Sequence, residues 1–217
     1  MFISHHAVAF AAIRFAPETS LGTLFIAVQF LDLLWPLLLL LGIEHVRIEP
    51  GITVVSPLNL YDYPISHSLA GALIWSLLFG AAYFGLRHEV RSAAVVGSAV
   101  FSHWVLDFIA HRPDMPLGFN GTTYVGLGLW NSYAGTFIVE IGIFIIGVAV
   151  YARTTKSKDG LGKYGLWSLA SFLLISYVAS IIGPPPPNEI ALAIGANVAW
   201  LFVLWAFWTD GHRAVKA

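Results

Sequence analysis

An all-α, polytopic transmembrane bundle, forming a single integral membrane domain over residues 1–217, is what three features of this chain predict. Of its 217 residues, 58% are hydrophobic and only 11% charged, and the mean hydropathy is +0.77. A soluble domain carries about 25% charged residues, so lipid is the expected solvent. Several apolar runs reach the roughly 20 residues that a helix needs to cross hydrocarbon. The segments between them carry turn formers: IEPGITVVSPLNLYDYP, RPDMPLGFNG, KSKDGLGK and GPPPPN.

In chain order, the first element is a short apolar segment, residues 2–16. As a helix it rises about 22 Å, less than the hydrocarbon thickness, so it either inserts part-way or lies flat on the inner leaflet. PETS, residues 17–20, turns the chain into the first full span at 21–42. Five more spans follow at 66–86, 90–111, 130–152, 165–183 and 190–208. Helices are required because lipid offers no partner to open backbone groups. A β-barrel would show alternating polarity, and these runs are continuous.

The net charge of −1, with no basic run, leaves no footprint for nucleic acid. The absence of cysteine excludes disulfides and thiolate metal sites. The amino-terminal stretch lacks the basic region and small-residue cleavage site of a secretory signal and reads as retained. Lys and Arg are unevenly placed. Arg14, Arg87, Arg91, Arg153, Lys156, Lys158, Lys163, Arg213 and Lys216 fall on one side, and only Arg47 and Arg112 on the other. The positive-inside rule makes the first side cytoplasmic, with both termini there if residues 2–16 do not span. The loops 43–65 and 112–129 then face outward. Glu44, His45, Arg47 and Glu49 in the first of them read as solvated charges.

Apart from the Lys and Arg just counted, the ionisable residues of the spans are few: Asp32, His67 at a helix entrance, His103, Asp107, His111 at an exit, and Glu140. A carboxylate in hydrocarbon costs at least ~2.5–3.5 kcal/mol without a partner, so these need protons, partners or a cation. Alternating span direction puts all of them between the midplane and the outer surface. His103 and Asp107, four apart, share a helical face and can share one divalent ion. His111 lies about 12 Å along the helix from His103, too far to join that ion, and is assigned to the rim with Asp62. If PETS is a hairpin turn, His5 comes to the depth of Asp32, while His6 points about 100° away. Ligand chemistry of imidazole plus carboxylate suits Zn²⁺, with Mn²⁺ or Fe²⁺ as alternatives. Asp107, Glu140 or Asp32 is then the general base if not coordinated.

The early histidine, QFLDLLWP, SHSL and SHWVLDFIAHRPDMPL together resemble the bacterial membrane-bound metal-dependent hydrolase-like family. That family is remotely likened to helical zinc enzymes of the phospholipase C and nuclease type. The resemblance covers about residues 1–116, and GLGLWNSYAGTFIVEIGIF extends it to a subgroup of integral membrane proteins. Carried over by position, it implies His5, Asp32, His67, His103 and Asp107 as metal ligands. The family's usual Pro-Asp pair stands here as Leu31-Asp32, with Pro36 following. It also implies a bacterial inner-membrane location and hydrolysis, with a phosphoester or other lipid-borne substrate at the outer leaflet. Two rival readings stay open: a cation or proton transporter, and a non-catalytic scaffold whose histidines serve helix packing.

Overall fold

The computed structural model describes residues 1–216. The chain forms helix α1 (Ile3–Ala12), α2 (Leu21–Leu40), strands β1 (His45–Ile48) and β2 (Leu58–Asp62), and a one-turn helix α3 (Pro64–His67). Then come α4 (Leu69–Arg87), α5 (Val90–Ala110), the two-residue strands β3 (Met115–Pro116) and β4 (Tyr124–Val125), and α6 (Tyr133–Thr154). The last part holds β5 (Thr155–Ser157), α7 (Gly160–Ile182), α8 (Glu189–Ala196), α9 (Ala199–Gly211) and β6 (Arg213–Val215). Six stretches are helices long and apolar enough to cross a membrane, α8 and α9 together making the last.

Capping chemistry explains where the spans start. Ser20, Ser68, Glu89, Ser132, Asp159 and Asn188 each accept a backbone N–H from the first turn of the helix that follows. Such caps satisfy donors that no intrahelical partner can reach. Outward faces stay apolar, with Leu77, Ile138, Ile145 and Ile175 well exposed. That is the pattern for helices solvated by lipid.

Three small antiparallel pairs close the ends. The pairs β1–β2 and β3–β4 cover one end, and β5–β6 ties the carboxyl-terminal segment to the other. The end carrying β5 and β6 also holds Arg153, Lys156, Lys158 and Lys163.

The structure resolves the status of the first segment. α1 neither crosses nor lies flat. It is a half-length helix wedged among α2, α5 and α6, with Ile3, His5, Ala9 and Phe10 fully buried. Met1 therefore sits beside Asp107 inside the bundle, not at the Lys- and Arg-rich end. Close approach to α6 depends on Gly147, where a Cβ would meet the Ala7 carbonyl oxygen at 2.4 Å.

Three spans differ from expectation: the fifth starts at Gly160 instead of 165, inside the expected connection KSKDGLGK, because Asp159 caps it there. The last is broken between α8 and α9, where the Asn197 side chain donates to the Ala193 carbonyl at 2.8 Å and satisfies a group the break leaves free. The second begins at Leu69 instead of 66, because Ser68 turns extended and caps α4. His67 is thus left on α3, outside the span.

Candidate metal centre

Asp107 is the hub. It lies on the buried face of α5, one turn beyond His103, and its two carboxylate oxygens serve different neighbours. Oδ2 lies 3.0 Å from His103 Nε2 and 3.8 Å from His67 Nε2. Oδ1 lies 3.1 Å from His5 Nε2 and 4.0 Å from His111 Nε2, and also contacts the Met1 amino group. Asp32 on α2 completes the group, its Oδ1 being 3.4 Å from His67 Nε2 and 3.6 Å from His103 Nε2. The structure thus brings together His5, Asp32, His67, His103 and Asp107, with His111 at the edge. Asp32 is the exposed member: 37% of its side chain is accessible, against 3% for Asp107. Pro36 lies four residues on and lacks an N–H, so it leaves the Asp32 carbonyl without its helical partner.

The far side of each ring decides which nitrogen faces inward. His103 Nδ1 is 2.7 Å from the Val28 carbonyl, which only accepts, so Nδ1 carries hydrogen. His67 Nδ1 is 2.7 Å from Ser66 Oγ, and Ser66 Oγ is 2.6 Å from Glu44 Oε2. The serine has one proton and gives it to the carboxylate, so it accepts from His67 Nδ1–H. His111 Nδ1 meets Asp114 Oδ1 at 3.2 Å in the same manner. Tyr63 donates to that carboxylate at 3.4 Å. Burial and then the Asp114 charge push the Tyr63 hydroxyl well above its usual range, so it stays a donor. In the neutral form His67, His103 and His111 all turn an Nε2 lone pair toward Asp107.

That polarity leaves an electrostatic problem. Among the described residues His103 Nε2 has no hydrogen-bond partner, although it lies within 3.6 Å of two carboxylates. The approach to Asp107 is close without hydrogen-bonding geometry. A lone pair held against two anions in a dry site is unfavourable unless a proton or a cation stands between them. Ligands about 2.0–2.2 Å from a tetrahedral ion lie about 3.3 Å from each other. The separations of 3.0, 3.4 and 3.6 Å among His103, His67, Asp32 and Asp107 match that spacing. In two sets the ligand atoms all lie within 4.8 Å of one another, close enough for one ion: His5, His103 and Asp107, and Asp32, His67 and His103. The residues present fit a divalent metal.

Other candidates lie elsewhere. Asp62 pairs with His45 Nδ1 at 2.8 Å across the β1–β2 ladder, in a half-exposed position away from the cluster. Glu140 is buried on α6, and its carboxylate is taken up by the amino end of α1. It accepts from Phe2 N at 2.9 Å, Ser4 N at 3.0 Å and Ser4 Oγ at 3.0 Å. Those contacts make it an anchor for α1, whose unpaired N–H groups attract an anion. His6 turns to Gln29, 3.0 Å away. Glu44, expected to be a solvated loop charge, is 1% exposed and also accepts from Ile65 N and Ser66 N. It holds α3, and so His67, in place. No local signal marked it, since its partners lie beyond a strand pair.

The cluster opens into a cavity of about 80 Å³ lined by Asp32, Tyr63, His67, Asp107, His111 and Trp130. Trp130 lies over His111, ring centroids 4.2 Å apart.

Fold and cluster together define a class: a polytopic, all-helical membrane protein with a buried imidazole–carboxylate centre. No family model, curated protein or solved structure matches the chain.

Proposed function

We propose that this chain is a divalent-metal-dependent hydrolase of the bacterial inner membrane, acting on a lipid-borne phosphoester from the outer leaflet. The observation that carries the metal is His103 Nε2, orphaned between the carboxylates of Asp32 and Asp107 while Nδ1 is committed to Val28. Zn²⁺ is the preferred ion, since imidazole and carboxylate ligands suit it, with Mn²⁺ and Fe²⁺ as alternatives. The hydrolase reading rests on the sequence resemblance and on a water-sized cavity at the cluster.

A bound divalent ion supplies Lewis-acid polarisation and lowers the pKa of water. The chain's own groups do the rest. Asp32, lining the cavity with a partly exposed side chain, accepts the proton of an attacking water when it is not itself a ligand. Glu44, through Ser66, holds the His67 ring at a fixed angle, and Val28 does so for His103. The dry inner wall keeps bulk water from the centre.

A transport path is disfavoured by packing. Phe10, Phe25, Phe144 and Tyr151 are buried in the bundle core between the cluster and the Lys- and Arg-rich end. The same charge bias supports an outward-facing site.

Metal analysis of detergent-purified protein, paired with release of phosphate or alcohol from a fluorogenic phospholipid, tests the proposal. Tightly held zinc and chelator-sensitive turnover are expected. A metal-free protein that folds normally would overturn it.

A further inference from the structure

We infer that a groove beside the metal centre holds a fatty acyl chain of a membrane lipid, with the chain's ester carbonyl bonded to the Tyr177 hydroxyl. The inference names the substrate class of the proposed hydrolase and in that sense rests on it.

The groove has a volume of about 590 Å³, within the ~300–1,000 Å³ of pockets that enclose small ligands. Its walls come from α7 and α8 of the spanning bundle, the Pro-rich turn between them and the loop 50–58, which puts it at the β1–β2 rim of the bundle, where a membrane lipid carries the head of its chain. Its walls are largely apolar, with Val54, Val55, Ile181 and Leu192 among them. Among the described residues no Lys or Arg lines it, so it suits a hydrocarbon chain and not an anionic headgroup. Glu140, the one carboxyl side chain among the described residues that line it, is spent on the amino end of α1, and the Met1 amino group is turned to Asp107.

Two further observations point to an occupant. The first is Tyr177, which is 2% exposed yet has a hydroxyl with no hydrogen-bond partner among the described residues. A buried hydroxyl left unmatched is costly; it is closed off from the groove that Tyr177 lines, so the ring has to turn slightly to meet a ligand acceptor there, and that bond relieves the cost. An ester carbonyl is the acceptor a lipid brings at the head of its chain. The second is continuity. Met1, Leu58 and Trp130 line both this groove and the small cavity that holds Asp32, His67, Asp107 and His111. A lipid with its chain in the groove directs its polar head into the metal centre. The small cavity alone cannot accept a lipid.

Gly195 supplies the test. A Cβ at this groove residue would meet nothing within 4 Å, so a large side chain fits there without disturbing helix packing. Gly142 on α6 is equally open and lines no part of the groove. The full chain is reconstituted in phosphatidylethanolamine and phosphatidylglycerol vesicles containing a phospholipid with a diazirine midway along one chain. Ester-linked and ether-linked versions are compared after photolysis and peptide mapping.

Label is expected on Ile181, Leu192 or Ala196, stronger for the ester probe. Gly195→Trp loses the label and Gly142→Trp keeps it, both with unchanged zinc. Tyr177→Phe keeps labelling but loses the ester preference. Equal labelling in wild type and Gly195→Trp, or label confined to lipid-facing residues such as Ile145 and Ile146, overturns the inference even if zinc is bound. Groove labelling in a protein that binds no metal instead supports the lipid site and removes the hydrolase reading.

Discussion

His5 and His103 stack ring on ring, with centroids 3.7 Å apart and planes 1° from parallel. Each turns its Nε2 to a different oxygen of Asp107, at 3.1 and 3.0 Å. Two imidazolium ions at that spacing would repel strongly in a buried site. Neutral rings, the form that ligates metal, suit the stack. The pairing ties α1 to α5 and sets the geometry on which the following outcomes depend.

His103→Ala and His67→Ala are expected to lose the bound metal, read by elemental analysis of purified protein. His111→Ala is expected to retain it, because His111 reaches only the far oxygen of Asp107, at 4.0 Å. Full occupancy in both of the first two variants would show the ligand set to be wrong.

Ser66→Ala leaves every ligand side chain in place. It removes the hydroxyl that links His67 Nδ1 to Glu44. Loss of such an outer partner typically weakens metal affinity by about 10–100-fold. Competition with a chromophoric chelator measures this, and an unchanged affinity would remove the relay from the account.

Glu140→Ala frees the amino end of α1 and is expected to cost about 3 kcal/mol or more, since several hydrogen bonds to a buried charge go together. Thermal unfolding in detergent reads the loss. Glu140→Gln should recover part of the stability and leave the shape of the pH–rate profile unchanged. A folded, fully stable Glu140→Gln protein without turnover would instead make Glu140 a catalytic base.

Gly147→Val should lower the melting temperature and zinc content together. The new side chain displaces the Ala7 backbone and carries His5 away from Asp107. Zinc retained at full stoichiometry in a destabilised protein would show that His5 is not needed for binding.

Two exposed caps give a pH signature independent of the metal centre. Hydrogen bonds from the Ser92 side chain and backbone hold Glu89 below its ordinary 4.5, and the Gly162 backbone N–H and then His212 hold Asp159 below its ordinary 3.8. Both carboxyls are lowered in the folded state, so their stabilisation is complete above those ordinary values. It fades as the pH falls through the lowered folded values. The melting-temperature lead of wild type over Glu89→Gln or Asp159→Asn should therefore be largest near neutral pH and shrink in acid. A lead that grows in acid would contradict the sign.

The spans could be read in sequence because each is a local property: an apolar run, opened by Ser, Asp, Asn or Glu at its cap. The His103–Asp107 pair could be read for the same reason, four residues on a helix being one face. Glu44 could not. Its neighbours Ile65 and Ser66 come to it only after the β1–β2 pair has folded the loop back. Nor could the role of Glu140, whose partners Phe2 and Ser4 lie at the other end of the chain's first fold.

Hydropathy and helical periodicity, which depend on residues within a few turns of each other, were enough to determine a lipid-solvated bundle and the residue types that gather within it. Only the packing of α1, α2, α3, α5 and α6 against one another, with the loops that carry Glu44 and Asp114, decided which of those residues meet, which nitrogen each ring turns inward, and which carboxylate serves as an anchor. Those outcomes rest on contacts between distant segments, and the free energy of such contacts is set by the complete bundle.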